Sequence, residues 1–224
     1  PNLPKNRVKR VFVSGILPEN IINELRDMMI IPYKLGKSKN LHTELAYHPD
    51  ILINNYRQGM WFCEHDPKYL PKGIPFNLFM ESETELGDLH PYDIPFNNFR
   101  LRNALVCGMS ADYLIQAYAD YEDLLKIHVK QQYTKCSTII VNEYAVITSD
   151  ESIGKAMRKN GFDVLTVKYH NQIGLNGFTH GLIGGCAGKI SEDTIVFTGD
   201  LDSYKCNNDI RDFCMNHGVY CLSL

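Results

Sequence analysis

The sequence predicts an α/β fold built from five strand–strand–helix–strand units, in the pattern of a closed ring. Three observations predict it. First, Asn142 to Asp150 and Glu192 to Asp200 share one pattern: an acidic turn, a short β-rich run, and a small residue followed by Asp at a helix start. Second, similar strand ends recur at Val11-Phe12-Val13-Ser14-Gly15, at Ala104-Leu105-Val106-Cys107-Gly108 and, more loosely, at Met60 to His65. Third, taking Gly15, His65, Gly108, Ser149 and Gly199 as anchors, the intervals are 50, 43, 41 and 50, so five units account for the chain.

The segments after each anchor justify the repeat in order. After Gly15, Pro18 suits a helix start, and Ile21, Ile22, Leu25, Met28 and Met29 form one apolar helical face. After His65 the helix is missing, because Asp66-Pro67 and Pro71-Lys72-Gly73 break it. After Gly108, Ser110 is the expected cap of a helix carrying Leu114, Tyr118 and Tyr121. After Ser149, Ile153, Ala156 and Met157 make an amphipathic helix ended by Gly161; after Gly199, Ile210, Phe213, Cys214 and His217 do the same, ended by Gly218. Each unit then closes on a strand: Ile30 to Leu35, Ile74 to Met80, Leu125 to Val129, Phe162 to Val167 and Val219 to Leu224.

A leading strand is expected before four of the anchor strands, at His48 to Asn54, Ile94 to Leu101, Cys136 to Val141 and Gly181 to Ile190. The first unit lacks one, as in a ring whose terminal strand is absent, and ring closure leaves few sheet edges exposed. The predicted organisation is one domain, residues 1–224, with repeats of about 8–35, 48–81, 93–130, 136–168 and 180–224. An open α+β sheet is the competing architecture.

Composition narrows the function classes. Hydrophobic residues are 44% and charged residues 22% of the 224, which excludes a disordered chain, a collagen and a coiled coil. The net charge of -3 carries no basic block, so neither nucleic acid nor an anionic membrane is an expected partner. No apolar run approaches the roughly 20 residues a membrane span needs. Pro1 to Arg10 is polar and basic without an apolar stretch behind it, so no signal peptide is expected. Seven irregularly spaced cysteines without a CxxC pair fit reduced thiols in the cytoplasm, mostly as small core residues, better than a disulfide scaffold or a zinc site. The eight histidines form no HxH or HxxxH pair, so no metal is expected. The glycines at 184, 185 and 188 mark a close backbone approach rather than a phosphate loop, since the Lys-Ser/Thr of such a loop is missing. The aromatic run from Tyr113 to Tyr121 reads as a packed helix face, and Glu81 to Tyr92 as an acidic, solvated connector.

Five such units in this length resemble the pentein, or guanidino-group-modifying, superfamily, which includes arginine and agmatine deiminases, dimethylarginine hydrolases and amidinotransferases. Tyr47-His48-Pro49-Asp50-Ile51, Lys135-Cys136-Ser137-Thr138 and Gly181-Leu182-Ile183-Gly184-Gly185 look most like an uncharacterised bacterial branch of it. The resemblance implies a five-bladed β/α propeller with pseudo-fivefold symmetry, whose leading strands line a central channel. In the enzymes a Cys attacks the guanidinium carbon, a His moves protons, and carboxylates grip the cationic nitrogens. The chemistry requires those residue types: guanidinium is planar, cationic and weakly electrophilic, so carboxylates bind it bidentately and a thiolate attacks it. Proton transfer near neutral pH falls to His.

Carried onto this chain, the resemblance implies Asp50, Asp93 and Asn97 as substrate-binding residues and His48 and His180 as acid/base residues. His180 is followed by Gly181 and Leu182, so the acidic partner that the enzymes carry two residues on is missing. The reactive Cys of arginine deiminases lies on a C-terminal strand that has no counterpart here. Cys136 and Cys186 occupy equivalent places in their own units, and Cys136 is preferred because Lys135 beside it favours a thiolate. Two functions follow: a non-catalytic or small-molecule-binding pentein, or a Cys-dependent hydrolase, deiminase or amidinotransferase acting on a guanidino compound. Neither needs a cofactor. The sequence leaves the oligomeric state open.

Overall fold

Five small sheets follow one another along the chain in the computed structural model, which describes residues 3–168 and 172–224. The residues fall into two compact units, Lys9–Thr134 and a second made of Leu3–Val8 with Lys135–Leu224.

The first unit holds three sheets. Strand β1 (Arg10–Ser14) runs parallel to β2 (Ile31–Leu35), with helix α1 (Glu19–Asp27) as the crossover. The helical turn α2 (Pro49–Leu52) leads into β3 (Ile53–Arg57), which pairs antiparallel with β4 (Met60–Glu64); β4 in turn pairs parallel with β5 (Phe79–Ser82). Strands β6 (Phe99–Leu101), β7 (Ala104–Cys107) and β8 (Leu125–His128) repeat that order, with α3 (Tyr113–Tyr121) between the last two. The aromatic rings of Tyr56, Phe62 and Tyr118 meet edge to face in this unit, and the Arg100 guanidinium lies over the Tyr56 ring.

The second unit holds two sheets of the same design. Strands β9 (Thr138–Ile140), β10 (Ala145–Thr148) and β11 (Asp163–Thr166) are joined through α4 (Glu151–Lys159). Strands β12 (Ala187–Ser191), β13 (Thr194–Phe197) and β14 (Tyr220–Ser223) are joined through α5 (Asn207–Asn216). Ile139, Ile147, Ile195, Phe197 and Ile210 bring both sheets and α5 into one apolar cluster. Each crossover helix ends on a glycine with positive φ, Gly161 at 81° and Gly218 at 69°, the left-handed conformation that lets the chain turn back into a strand. The N-terminal segment joins this unit through the Val8 amide, which donates to the Ile190 carbonyl at 2.8 Å.

The strand–strand–helix–strand order is therefore present in three units, with the leading strand missing in the first and the helix missing in the second, as the sequence predicts. The leading strands themselves are shorter than predicted. Pro49 starts a helical turn at its first position, so β3 begins only at Ile53. Turns at 92–97 delay β6 to Phe99, and a 3-10 turn at Ile183–Cys186 delays β12 to Ala187. The apolar runs in these segments look like strand, but they bury Ile51, Leu52, Ile94 and Ile183 from turns.

Four other expectations change. Helix α1 stops at Asp27 and Met29 takes a φ of 59°, which turns its side chain out to 78% exposure. Asp112, not Ser110, caps α3, because its carboxylate accepts from the Leu114 and Ile115 amides. Tyr113 and Tyr121 on that helix are exposed, and Ile115 and Ala119 form its buried stripe. The segment from Glu81 to Tyr92 is not wholly solvated: Ser82 and Leu86 are buried, and the Ser82 hydroxyl donates to Asp112 at 2.6 Å.

Gly184 packs against the turn that enters β9. A Cβ there would strike the Lys135 carbonyl and come within 2.6 Å of the Thr138 backbone N and O, whereas a Cβ on Gly185 meets nothing within 4 Å. Gly184→Ala is expected to destabilise the protein by about 1–3 kcal/mol, the usual range for overpacking. Gly185→Ala is expected to change stability by less than about 1 kcal/mol in the same urea titration.

Candidate functional site

Each leading strand is entered from a turn, and the predicted site residues sit on those turns rather than on the strands. In the first unit, Asp50 lies in the first turn of α2 and His48 immediately before it. The His48 carbonyl accepts from the Ile51 and Leu52 amides, so the ring is placed by the backbone of the turn it opens. Burial holds the His48 imidazole below its ordinary range, against the opposing pull of Asp50 and then Glu44. The ring is thus biased to the neutral form at pH 7, in which one nitrogen can accept a proton.

The turns before β3 and β6 are tied together. The Asn97 side-chain amide donates to the Asp50 carbonyl at 2.8 Å, and Asn54 on β3 donates to the Phe96 and Asn98 carbonyls at 2.9 and 2.7 Å. Asp50, His48 and Asn97 therefore belong to one polar assembly. Asn97 serves the backbone of the Asp50 turn.

Asp93 opens the second of these turns and is buried to 3% exposure. One carboxylate oxygen lies 3.1 Å from His90 Nδ1 and the other accepts a short hydrogen bond from the Tyr133 hydroxyl. His90 stacks on the Tyr133 ring, with centroids 6.0 Å apart. Among the described residues, the ion-pair partner of Asp93 is His90; no lysine or arginine reaches it. The carboxylate is thus buried between a phenol and an imidazole.

Sequence reasoning missed Tyr133, His90 and Asn54. Tyr133 lies 40 residues beyond Asp93, and no local spacing connects them. His90 was legible as the residue three before Asp93, but it falls in a stretch whose acidic composition reads as solvated loop.

Cys136 and His180 belong to the second unit. Cys136 is buried at 5% exposure in the turn that enters β9, and its carbonyl accepts from the Gly185 amide at 3.2 Å. His180 Nδ1 lies 3.1 Å from the Thr179 hydroxyl. Cys186 ends the 3-10 turn before β12, and burial pushes its thiol up. The expectation that Cys136 and Cys186 lie on strands is corrected: both lie just before them, because glycines and tight turns occupy those positions. All seven cysteines are thiols rather than disulfides. Among the described residues, no three His, Cys, Asp or Glu side chains are grouped to hold a metal ion, and no helix is long and apolar enough to cross a membrane.

The arrangement of strands is shared with solved enzymes. The inosamine-phosphate amidinotransferase of Streptomyces griseus has a TM-score of 0.60 and 11% identity, over 100% of this chain and 90% of that one. An amidinotransferase from Microseira wollei in the saxitoxin biosynthetic pathway has a TM-score of 0.59 and 9% identity, with the same coverage. DDAH from Pseudomonas aeruginosa, a Cys-to-Ser mutant in complex with citrulline, has a TM-score of 0.56 and 7% identity over 99% of this chain and 92% of that one. Identities this low speak for the fold alone. No curated protein matches in sequence. The chain has the α/β fold of the pentein superfamily and, through a family profile that matches residues 12–224, belongs to the family of unknown function DUF6873.

Proposed function

We propose that this protein is a single-domain, five-bladed β/α propeller that binds a small guanidino or amidino compound on the turns entering its leading strands. Asp50 and Asp93 supply the negative charge, and Asn97 fixes the turn that carries Asp50. The observation that carries this reading is the Asp93 carboxylate, buried and met by Tyr133 and His90 without a lysine or arginine. A planar cation offers such a carboxylate bidentate, charge-assisted hydrogen bonds. The pentein fold supports the ligand class, since the solved proteins sharing it include amidinotransferases and an agmatine deiminase. Seven cysteine thiols fit a reducing, cytoplasmic setting.

A second reading is catalytic: Cys136 as the nucleophile, with His48 and His180 moving protons. It is favoured by the place of Cys136, which occupies in the fourth repeat the entry turn that carries Asp50 in the second.

The binding reading predicts that arginine or agmatine raises the melting temperature of the protein, while citrulline and lysine at the same concentration do not. At a hundredfold excess over Kd the stabilisation is about 2.7 kcal/mol. Asp93→Asn is expected to weaken binding about ten- to a hundredfold, the cost of one charged hydrogen bond, with an unchanged circular dichroism spectrum. Equal shifts from arginine and citrulline would sink the proposal. Mass spectrometry after brief alkylation separates the readings: fast labelling of Cys136 below the ordinary thiol range near about 8.5, blocked by arginine, supports catalysis. Slow labelling leaves binding alone.

His48 makes a separate prediction about pH. Its folded pKa is held below the unfolded value, so between the two the unfolded chain binds more protons. Its contribution to stability is full above the ordinary imidazole range near about 6.5 and declines as pH falls below it. Urea titrations from pH 7.5 down to 5 are expected to show a shallower loss of stability in His48→Gln than in the native chain. Parallel pH profiles would show that the ring titrates as in the unfolded state.

A further inference from the structure

We propose that Cys214 and Cys221 form a peroxide-reactive dithiol site that closes to a disulfide joining α5 to the edge strand β14. Cys214 sits on the buried stripe of α5 at 0% exposure, and Cys221 is the β14 side chain packed against the same apolar cluster. The two side chains meet in that cluster, close enough for each thiol to influence the other's ionisation. The chain between them is a tight return: the Val219 amide donates to the Cys214 carbonyl at 2.9 Å, and Gly218 takes a positive φ of 69°. The backbone thus already holds the helix end against the strand.

Two cations make the pair unequal. Lys189 on β12 is partly buried, hydrogen-bonds the Val141 carbonyl at 2.7 Å, and lies in the field of both sulfurs. Arg211 on α5 donates to the Cys221 carbonyl at 3.2 Å. The neighbouring Cys214 thiol, then the charges of Arg211 and Lys189, hold the Cys221 thiol below its ordinary range against burial; the Cys221 thiol and burial push Cys214 up. Cys221 is also the more exposed of the two, on the outer strand of its sheet. It is the sulfur that reacts first, and Cys214 holds the proton.

The chemistry balances with a hydroperoxide as the oxidant. The Cys221 thiolate attacks one peroxide oxygen; the S–O bond forms, the O–O bond breaks, and the departing hydroxide takes a proton to become water. Cys221 is then a sulfenic acid, oxidised by two electrons while the peroxide is reduced by two. The Cys214 sulfur attacks the Cys221 sulfur, the S–S bond forms, the S–O bond breaks, and hydroxide leaves with the Cys214 proton as a second water. A thiol reductant restores both groups. The site uses neither Asp93 nor Cys136, so it stands whatever ligand the protein takes.

The test treats the intact protein with hydrogen peroxide and maps it after trypsin without reductant. Cleavage after Arg211 leaves both sulfurs on the peptide that begins at Asp212. This peptide is expected to lose two hydrogens and to resist alkylation at both sulfurs, and dithiothreitol is expected to reverse both changes. In Cys214→Ser the disulfide is lost and a dimedone adduct appears at Cys221; in Cys221→Ser no adduct forms at Cys214. The proposal is overturned if both sulfurs in the treated native protein still alkylate, or if Cys214 gains dimedone in Cys221→Ser. The peptide map of the native chain decides the matter even if a buried Cys214→Ser fails to fold.

Discussion

Parallel pairing between the second and last strand of each repeat is the constraint from which the rest of the structure follows. A parallel pair cannot be closed by a tight turn, so the chain must cross over a face of the sheet before it returns. In four repeats an amphipathic helix makes that crossing, and in the second the proline-broken segment from Asp66 to Leu78 makes it without one. The first strand of a repeat pairs antiparallel on the other side, joined by a hairpin of two to four residues. Its far end must then be reached by a segment of its own, and that segment is the entry turn. The turns carrying His48 and Asp50, Asp93 and Asn97, and Cys136 are a consequence of strand order before they are anything chemical.

The entry turns also lock onto one another in the same way in both units. In the first, Asn97 holds the Asp50 carbonyl and Asn54 holds the Phe96 and Asn98 carbonyls. In the second, the Gly185 amide holds the Cys136 carbonyl. Short turns leave backbone carbonyls without ladder partners, and burial requires that each find one. Meeting that requirement between successive turns costs side-chain freedom at Asn54 and Asn97, and it gives rigid backbone from which a carboxylate or a thiol can project.

This explains what was legible in the sequence and what was not. The anchors were legible because strand ends at Gly15, Gly108 and Gly199 carry local chemistry, and the helices because Ile153 and Met157, or Ile210 and Cys214, fall at helical spacing. The entry turns were not, because Ile51-Leu52-Ile53 has the same apolar run whether it turns or extends; Pro49 was the one local sign. Asp50, His48 and Asn97 were singled out through motif resemblance, and in the structure the Asn97 side-chain amide donates to the Asp50 carbonyl. Tyr133 was illegible because its meeting with Asp93 depends on the whole third repeat folding back between them.

The two reactive features differ in how they were reached, and the difference has a physical basis. Asp93 is buried polar chemistry held by His90 three residues before it and by Tyr133 forty residues on, so half of its environment is a product of topology. Cys214 and Cys221 are seven residues apart across a single helix-to-strand return, so their meeting is local, yet it leaves no mark in the spacing of cysteines. In the proposed site the neighbouring thiol acts on Cys221 first, then Arg211 on α5, then Lys189 on β12, two strands over in the sheet. Lys189 adds to that polarisation because its hydrogen bond to the Val141 carbonyl holds it partly buried beside the pair. The structural demand on one backbone oxygen thus fixes a charge where two sulfurs meet.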